Sequence, residues 1–437
     1  MAFPIPVPPS MKNHVNFSAS LAKVGAWLGG KAEEAGVTIL SQTSAVKLLV
    51  EEGTVKGVAT GNKGVDRNGK PLSNFEEGVE MLSKVTVLAE GTQGFLTQSA
   101  IHHFKIEGDN PQIYALGVKE IWEVQKPLDR IIHTMGWPLR LGKKYGEFGG
   151  SFVYPYGPGK LTIGLVAGLD YHDASFSVHD ALQEMKLHPL FRKILEGGRR
   201  VEQGWGAKTI PEGGFYALPK RLSLPGALLL GDGAGFVNVP ALKGIHYAME
   251  SGILAAEAIF AQLKSKQDLK SYDNAVRKSF IHKDLYQVRN MRQAFQHGFF
   301  AGGALAGLMT VTKGLFPGWR FGEKADNEQK MFMGNKKYPK PDNKYTFDKL
   351  SSAYASGNRS RDNQPNHIQV DMNVPPVIAE TWINMCPANV YEWHTDADGK
   401  KRLQLNPSNC IHCGAISDKG GKLTPPEGGS GPEYTEV

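Results

Sequence analysis

Three features of the 437-residue sequence predict an α/β fold that carries an inserted antiparallel unit and a small terminal unit rich in metal-binding side chains. A helix-period segment over residues 21–35 runs into the apolar stretch GVTIL, the helix-turn-strand order of an α/β layer. Residues 110–220 are dense in β-branched and aromatic residues, as in IYALGVKEIWEV and KLTIGLVAGLDY, and read as mostly antiparallel strands. The only cysteines, Cys386, Cys410 and Cys413, fall near the C-terminus.

Taken in order, Leu21, Val24, Ala26, Trp27 and Leu28 have the spacing of a helix, and GVTIL follows as a strand. VKLLVEEGTVKGVAT reads as two strands about a Glu-Gly turn, and KVTVLAEGTQG as a short buried strand that stops at Glu90 and Gly91. Further strands are expected in RIIHTMGWPLR and EFGGSFVYPYG. GALLLGDGAGFVNVPALKGIHYAMESGILAAEAIF restores strand-to-helix order, with Ile245, Ala248, Met249, Gly252, Ala255, Ala256 and Ile259 predicted to form one buried face. Residues 293–312 lack Asp, Glu, Lys and Arg, but their Gly, Gln, His and Thr content suits a helix lying in a membrane interface, or a Gly-rich core helix, better than a membrane-crossing one. Beyond Trp319 a polar, Pro-containing surface connection with one short helix leads to the terminal unit. The expected organisation is 1–105 and 221–265 for one nucleotide-binding unit, 106–220 for the insertion, 266–367 for helices and linker, and 368–437 for the terminal unit.

With 41% hydrophobic and 21% charged residues, the composition is that of an ordinary globular protein. The formal charge of +7 favours an acidic partner or anionic lipid. No dense Lys/Arg run interleaved with aromatics is present, so nucleic acid is not the expected partner. So few cysteines rule out a disulfide framework and suggest a local metal site in a reducing compartment. The start, with Pro4, Pro6, Pro8 and Pro9 and no basic region ahead of an apolar core, is not that of a secretory signal.

Two constellations carry chemistry. In LLLGDGAGFVN a buried strand delivers Gly231 and Asp232 to its carboxyl edge, and Gly233 and Gly235 let the next helix's amides approach a phosphate or ribityl chain. Asp232 can accept from a sugar-like hydroxyl, so flavin binding is favoured over a plain strand-turn-helix junction. Cys410 and Cys413 form a C-x2-C pair, and with Cys386 they suit an iron-sulfur site; zinc with His412 as fourth ligand is the rival.

The strings PIPVPPSMKNH, YALGVKEIW, HTMGWPL, FGGSFVYPY, GFVNVPALKGIHYAMESG, CPANVYEW and NCIHC, in this order and over nearly the whole chain, resemble the electron-transfer flavoprotein:ubiquinone oxidoreductase family. The resemblance implies a FAD-dependent reductase-like scaffold, an inserted antiparallel-sheet ubiquinone domain and a C-terminal ferredoxin-like iron-sulfur domain. It also implies FAD, one 4Fe-4S cluster, ubiquinone as substrate, the electron-transfer flavoprotein as partner, and peripheral attachment to a bacterial or mitochondrial inner membrane. By this likeness Asn238 meets the flavin ring, Glu90 and Gly91 form a second flavin-adjacent loop, Gly149 and Gly150 approach the quinone, and Tyr391 lies beside the cluster. The competing readings are a helix N-cap for Asn238, a strand end for Glu90, a β-bulge for the glycine pair and packing for Tyr391. His133, Trp137 and His246 are assigned to structure.

Two departures from the family pattern stand out. No G-x-G-x-x-G occurs; the unit bearing it would precede PIPVP, so a shortened chain with weak or absent FAD binding is expected. The family's C-x2-C-x2-C motif places its last cysteine at Ile416, which predicts a 3Fe-4S cluster, a 4Fe-4S cluster completed by Ser417 or Asp418, or no stable cluster. Rival functions are a FAD-dependent lipid reductase or monooxygenase that oxidises NAD(P)H, and a non-catalytic remnant that keeps a partner surface.

Overall fold

The structure, a computed structural model, describes residues 4–12 and 16–437; Asn13 and His14 of the PIPVPPSMKNH string lie outside the described residues. Helix α1 (Leu21–Glu34) starts at Ser20, whose hydroxyl accepts from the Lys23 amide at 3.3 Å. The strand expected in GVTIL does not form. Strand structure needs a hydrogen-bonded neighbour, none of the described strands pairs with this segment, and Val37, Ile39 and Leu40 remain exposed. The hairpin of β1 (Ala45–Glu51) and β2 (Thr54–Thr60) forms as expected, because Glu52 (φ 47°) and Gly53 (φ 71°) both take the left-handed conformation of a two-residue turn.

A side hairpin, β3 (Lys63–Val65) with β4 (Pro71–Glu76), precedes β5 (Glu80–Leu82), which pairs with the free edge of β2. Strand β6 (Thr86–Leu88) delivers Glu90 and Gly91 to the start of α2 (Phe95–His103).

Five strands then build the main antiparallel sheet: β7 (Tyr114–Glu123), β8 (Ile132–Met135), β9 (Gly149–Pro155), β10 (Lys160–Gly168) and β11 (Arg199–Pro211), in the order β11-β7-β10-β9-β8. Helices α3 (Val178–Lys186) and α4 (Pro189–Leu195) fall between β10 and β11. Leu116, Val118, Trp122, Ile163 and Leu165 are buried, and their core continues without a break into Trp382, Met385, Cys386 and Tyr391 of the terminal unit. The sheet and the cysteine-bearing unit therefore share one core.

Strands β12 (Ser223–Leu224) and β13 (Ala227–Leu229) return the chain to β6, with β13 and β6 parallel. Helix α5 (Ile245–Ser265) packs over them with α6 (Lys270–Lys278) and α7 (Phe280–Gln287). Its buried side chains are Tyr247, Ser251, Ala255 and Ala258, so of the predicted face only Ala255 is buried. The sequence is apolar around much of the helix, and periodicity alone cannot choose which side meets the sheet; Ile245 and Met249 are each 54% exposed.

Helix α8 (Phe299–Val311) follows, and the connection beyond it is less superficial than expected. Asp326, Tyr345 and Thr346 are buried, and Phe332 is tied to residues 172 and 174 through backbone bonds of 2.8 and 2.9 Å. The expected short helix is α9 (Lys349–Tyr354). The terminal unit holds β14 (Ile368–Gln369), α10 (Pro376–Met385), the hairpin of β15 (Tyr391–Thr395) and β16 (Lys401–Leu405), and β17 (Lys422–Leu423), which pairs with β14.

Candidate functional site

Because β6 and β13 run parallel, their carboxyl ends open side by side, where open α/β sheets take ligands. A cavity of about 1440 Å³ lies there, walled by Glu90, Thr92 and Gln93 after β6, by Asp232 and Gly233 after β13, and by His412, Gly414 and Asp418 of the cysteine loop. Gly231 (φ 55°) and Gly235 (φ 84°) turn the chain through a short 3₁₀ segment, Gly231–Ala234. The helix expected directly after this turn starts only at Ile245, so the amides nearest the cavity belong to the turn itself. A Cβ on Gly233 would sit 3.3 Å from the Gly91 carbonyl, so a glycine lets the two loops meet. Burial pushes the Asp232 carboxyl upward. Bare backbone beside one acidic acceptor fits the hydroxyl-rich part of a flavin nucleotide.

Glu90 works at the start of α2: its carboxylate accepts from the Leu96 and Thr97 amides at 3.1 and 2.6 Å. Asn238 caps the turn Val239–Ala241, accepting from the Ala241 amide at 3.1 Å, and its own amide donates to the Tyr247 hydroxyl at 3.3 Å. Gly231, Gly235 and Asn238 shape the turn from behind and stand off the cavity wall.

The cysteines converge from two elements. Cys386 caps the end of α10 and accepts from the Val390 amide at 3.4 Å; Cys410 accepts from the His412 amide at 3.4 Å. Burial raises all three thiols, and repulsion from neighbouring cysteines adds to it at Cys410 and Cys413, with Cys413 pushed up to about 12. Neutral thiols are favoured until a cation compensates the thiolate charges. Tyr391, buried beside them, feels the charge of all three. Ile416 is buried against Val370 and Gly421 and offers no donor. Asp418 accepts from the Gln93 side-chain amide, which commits its carboxylate to the cavity.

His367 was not singled out by any pattern in the sequence. Its ring packs edge-on to His412 at 4.7 Å, and one ligand atom from each of His367, Cys410 and His412 lies within 4.8 Å of the others. Among the described residues, neither nitrogen of His367 nor Nε2 of His412 has a hydrogen-bond partner. Three thiols, amide-to-sulfur bonds and unpartnered imidazoles fit an iron-sulfur cluster. Thr92 and Thr209 also escaped notice. The Thr209 amide donates to the Cys413 carbonyl at 2.8 Å, and its hydroxyl lies 3.3 Å from that of Thr92, so cluster loop and flavin loop are joined.

Gly149 and Gly150 lie on β9, and the register with β10 runs through both without a bulge. A Cβ on Gly149 would collide with the Val166 carbonyl, and one on Gly150 with the Thr134 carbonyl. Their neighbour Phe148, with Phe295 and Phe299, lines a separate cleft of about 450 Å³, while the glycines stand behind that wall. Phe148 and Phe295 lie 4.7 Å apart, and the Arg292 guanidinium sits 4.2 Å over the Phe148 ring. Among the described residues no helix is long and apolar enough to cross a membrane.

Comparison with known proteins gives this geometry a family. Residues 114–210 match the model "ETF-QO, ubiquinone-binding", and residues 343–435 match "Electron transfer flavoprotein-ubiquinone oxidoreductase, 4Fe-4S". The mitochondrial electron transfer flavoprotein-ubiquinone oxidoreductase of Oryza sativa subsp. japonica is 39% identical across 98% of this chain and 77% of its own length. The Homo sapiens protein of that name is 37% identical across 99% and 74%. A solved geranylgeranyl bacteriochlorophyll reductase-like protein from Thermoplasma acidophilum shares the fold, with a TM-score of 0.51 and 18% identity over 67% of this chain and 66% of that one. The chain belongs to the electron transfer flavoprotein-ubiquinone oxidoreductase family.

Proposed function

We propose that the protein accepts electrons from reduced electron-transfer flavoprotein and delivers them to ubiquinone at a membrane surface. The observation that carries this reading is the contact between the cysteine loop and the flavin-type cavity through Thr209 and Thr92, two redox sites built into one rigid frame. When bound, the 4Fe-4S cluster and FAD supply one-electron and two-electron chemistry respectively. Cys386, Cys410 and Cys413 hold the cluster, with the Val390 and His412 amides directed at two of the sulfurs. Asp232, Gly233, Glu90 and Gly91 shape the flavin pocket, with Gly231, Gly235 and Asn238 holding its turn. Gly149 and Gly150 bring β9 close to its neighbours and so present Phe148 to the quinone cleft, where Phe148, Phe295 and Phe299 offer an aromatic face to the ring among charged walls that include Arg140, Asp170 and Arg292.

Peripheral attachment to an inner membrane is supported by the surface around α8. Phe300, Val311, Leu315 and Trp319 are 76, 80, 83 and 62% exposed on a segment that starts at the cleft residue Phe299. A quinone leaving the bilayer there enters the cleft without crossing water.

The test is quinone reduction by the full chain, supplied with FAD and bound to vesicles containing a ubiquinone analogue, with reduced electron-transfer flavoprotein as donor. Quinol formation that needs the donor protein, taking up two electrons and two protons per quinone, is expected. NAD(P)H-driven turnover without the donor protein would replace this reading with the lipid reductase one.

A further inference from the structure

We infer that His367 is the fourth protein ligand of the iron-sulfur cluster, in the place a cysteine would take at Ile416. The inference rests on the cysteine assignment above and goes beyond it. Three thiolates leave one iron of a four-iron cluster without a protein ligand, and the side chain at 416 has no lone pair to give. His367 is 3% exposed, and both of its ring nitrogens lack a hydrogen-bond partner among the described residues. Buried polar atoms are nearly always paired, so a lone imidazole among thiols is a donor aimed at a ligand.

Its position is set by backbone. His367 immediately precedes β14, which pairs with β17, and its carbonyl accepts from the Thr424 amide at 2.9 Å. Strand β17 follows directly on the turn Ala415–Asp418 that carries Ile416. The pairing sets His367 opposite Thr424, while Ile416 lies beside Gly421 and Val370 at the other end of these strands; the link to the cysteines is the His367 ring itself, whose ligand atom lies within 4.8 Å of Cys410 Sγ. His412 is the weaker candidate: it lines the flavin-type cavity, whereas His367 does not and is buried at 3% exposure beside Cys410. Of the oxygen donors, Asp418 is held by Gln93.

The test is anaerobic reconstitution of the full chain with iron and sulfide, followed by iron and sulfide analysis and electron paramagnetic resonance. The native chain is expected to hold about four irons and give a four-iron signal on reduction, with nitrogen coupling from a histidine ligand when histidine is isotopically labelled. H367A is expected to drop to about three irons and give a three-iron signal when oxidised. I416C in the H367A background is expected to recover the four-iron signal, which rules out misfolding as the cause of the loss. A four-iron signal that survives in H367A, or a native four-iron signal without nitrogen coupling, overturns the assignment of His367 and leaves the cysteines in place. A native chain that binds one metal ion without sulfide, or no iron, overturns both.

Discussion

The backbone amide of Thr209, near the end of β11, donates to the carbonyl oxygen of Cys413 at 2.8 Å, and the Thr209 hydroxyl stands 3.3 Å from that of Thr92. One residue of the ubiquinone sheet therefore touches the cluster loop and the flavin loop at once. Thr209→Val keeps the shape and the amide bond but strands the Thr92 hydroxyl. A buried hydroxyl without its partner costs about 1 kcal/mol. The expected outcome is a lower urea midpoint at unchanged slope, with the cluster signal intact because the bond to Cys413 remains. Loss of the cluster signal would show that the hydroxyl itself supports the cysteine loop.

Asp418 makes the cavity sensitive to pH. Burial drives its carboxyl up to about 8, only partly opposed by the Gln93 amide and Lys419. In the unfolded chain an aspartate titrates near about 3.9. Between these values the folded state holds a proton that the unfolded state has released, so this group's contribution to stability falls as pH rises from 4 towards 8. Asp418→Asn, which keeps an oxygen for Gln93, is expected to match the native chain near pH 4. At pH 8 it should exceed the native chain by about 1–3 kcal/mol, the cost of a poorly solvated group. Urea midpoints of both proteins at the two pH values decide it; parallel pH profiles would reject the shift.

What could be read from the sequence follows from where each signal is stored. The β1–β2 hairpin was legible because its turn chemistry is local, in Glu52 and Gly53. Four strands of the main sheet, β7 to β10, were legible because their segments are rich in Val, Ile and aromatic residues; β11, with Arg, Glu, Gln and Lys along it, was not. The buried face of α5 was not, since Ile245, Met249 and Ile253 are as apolar as the residues that do pack. GVTIL has strand composition, but a strand is a property of a pair. At the site, Asp232 and the cysteines announced themselves by type and spacing. His367 reaches Cys410 only through the pairing of β14 with β17, two short strands separated by the whole cysteine motif. No local pattern encodes that approach.

Lys186 and Glu120 form an ion pair of 2.6 Å with both side chains fully buried between α3 and β7. The carboxylate also accepts from Trp122 Nε1 at 2.8 Å and Gln183 Nε2 at 3.0 Å. Lys186→Met removes the cation and leaves a buried charge, a change that costs about 3–5 kcal/mol. Adding Glu120→Gln removes that charge and keeps one acceptor oxygen, enough for Trp122 or Gln183 but not both, so the double variant is expected to recover part of the loss. Chemical denaturation of the two single variants and the double variant closes the cycle. Additive losses would mean that the pair is not coupled.

The glycines of β9 and the phenylalanines of the cleft separate architecture from quinone binding. Gly149 has φ 149°, and a Cβ there would collide with the Val166 carbonyl on the neighbouring strand. Gly149→Ala is therefore expected to cost about 1–3 kcal/mol of backbone strain and to lower the melting temperature. Phe295→Ala acts on a half-buried ring that meets Phe148 at a 50° tilt, with centroids 4.7 Å apart. An aromatic pair contributes about 0.5–1.5 kcal/mol beyond its buried area, so the KM for quinone should rise roughly three- to tenfold with the melting temperature nearly unchanged. Calorimetry beside steady-state kinetics reads both effects. If Gly149→Ala instead raised KM at an unaltered melting temperature, the glycine backbone itself would be the quinone contact, and the cleft at Phe295 would lose its role.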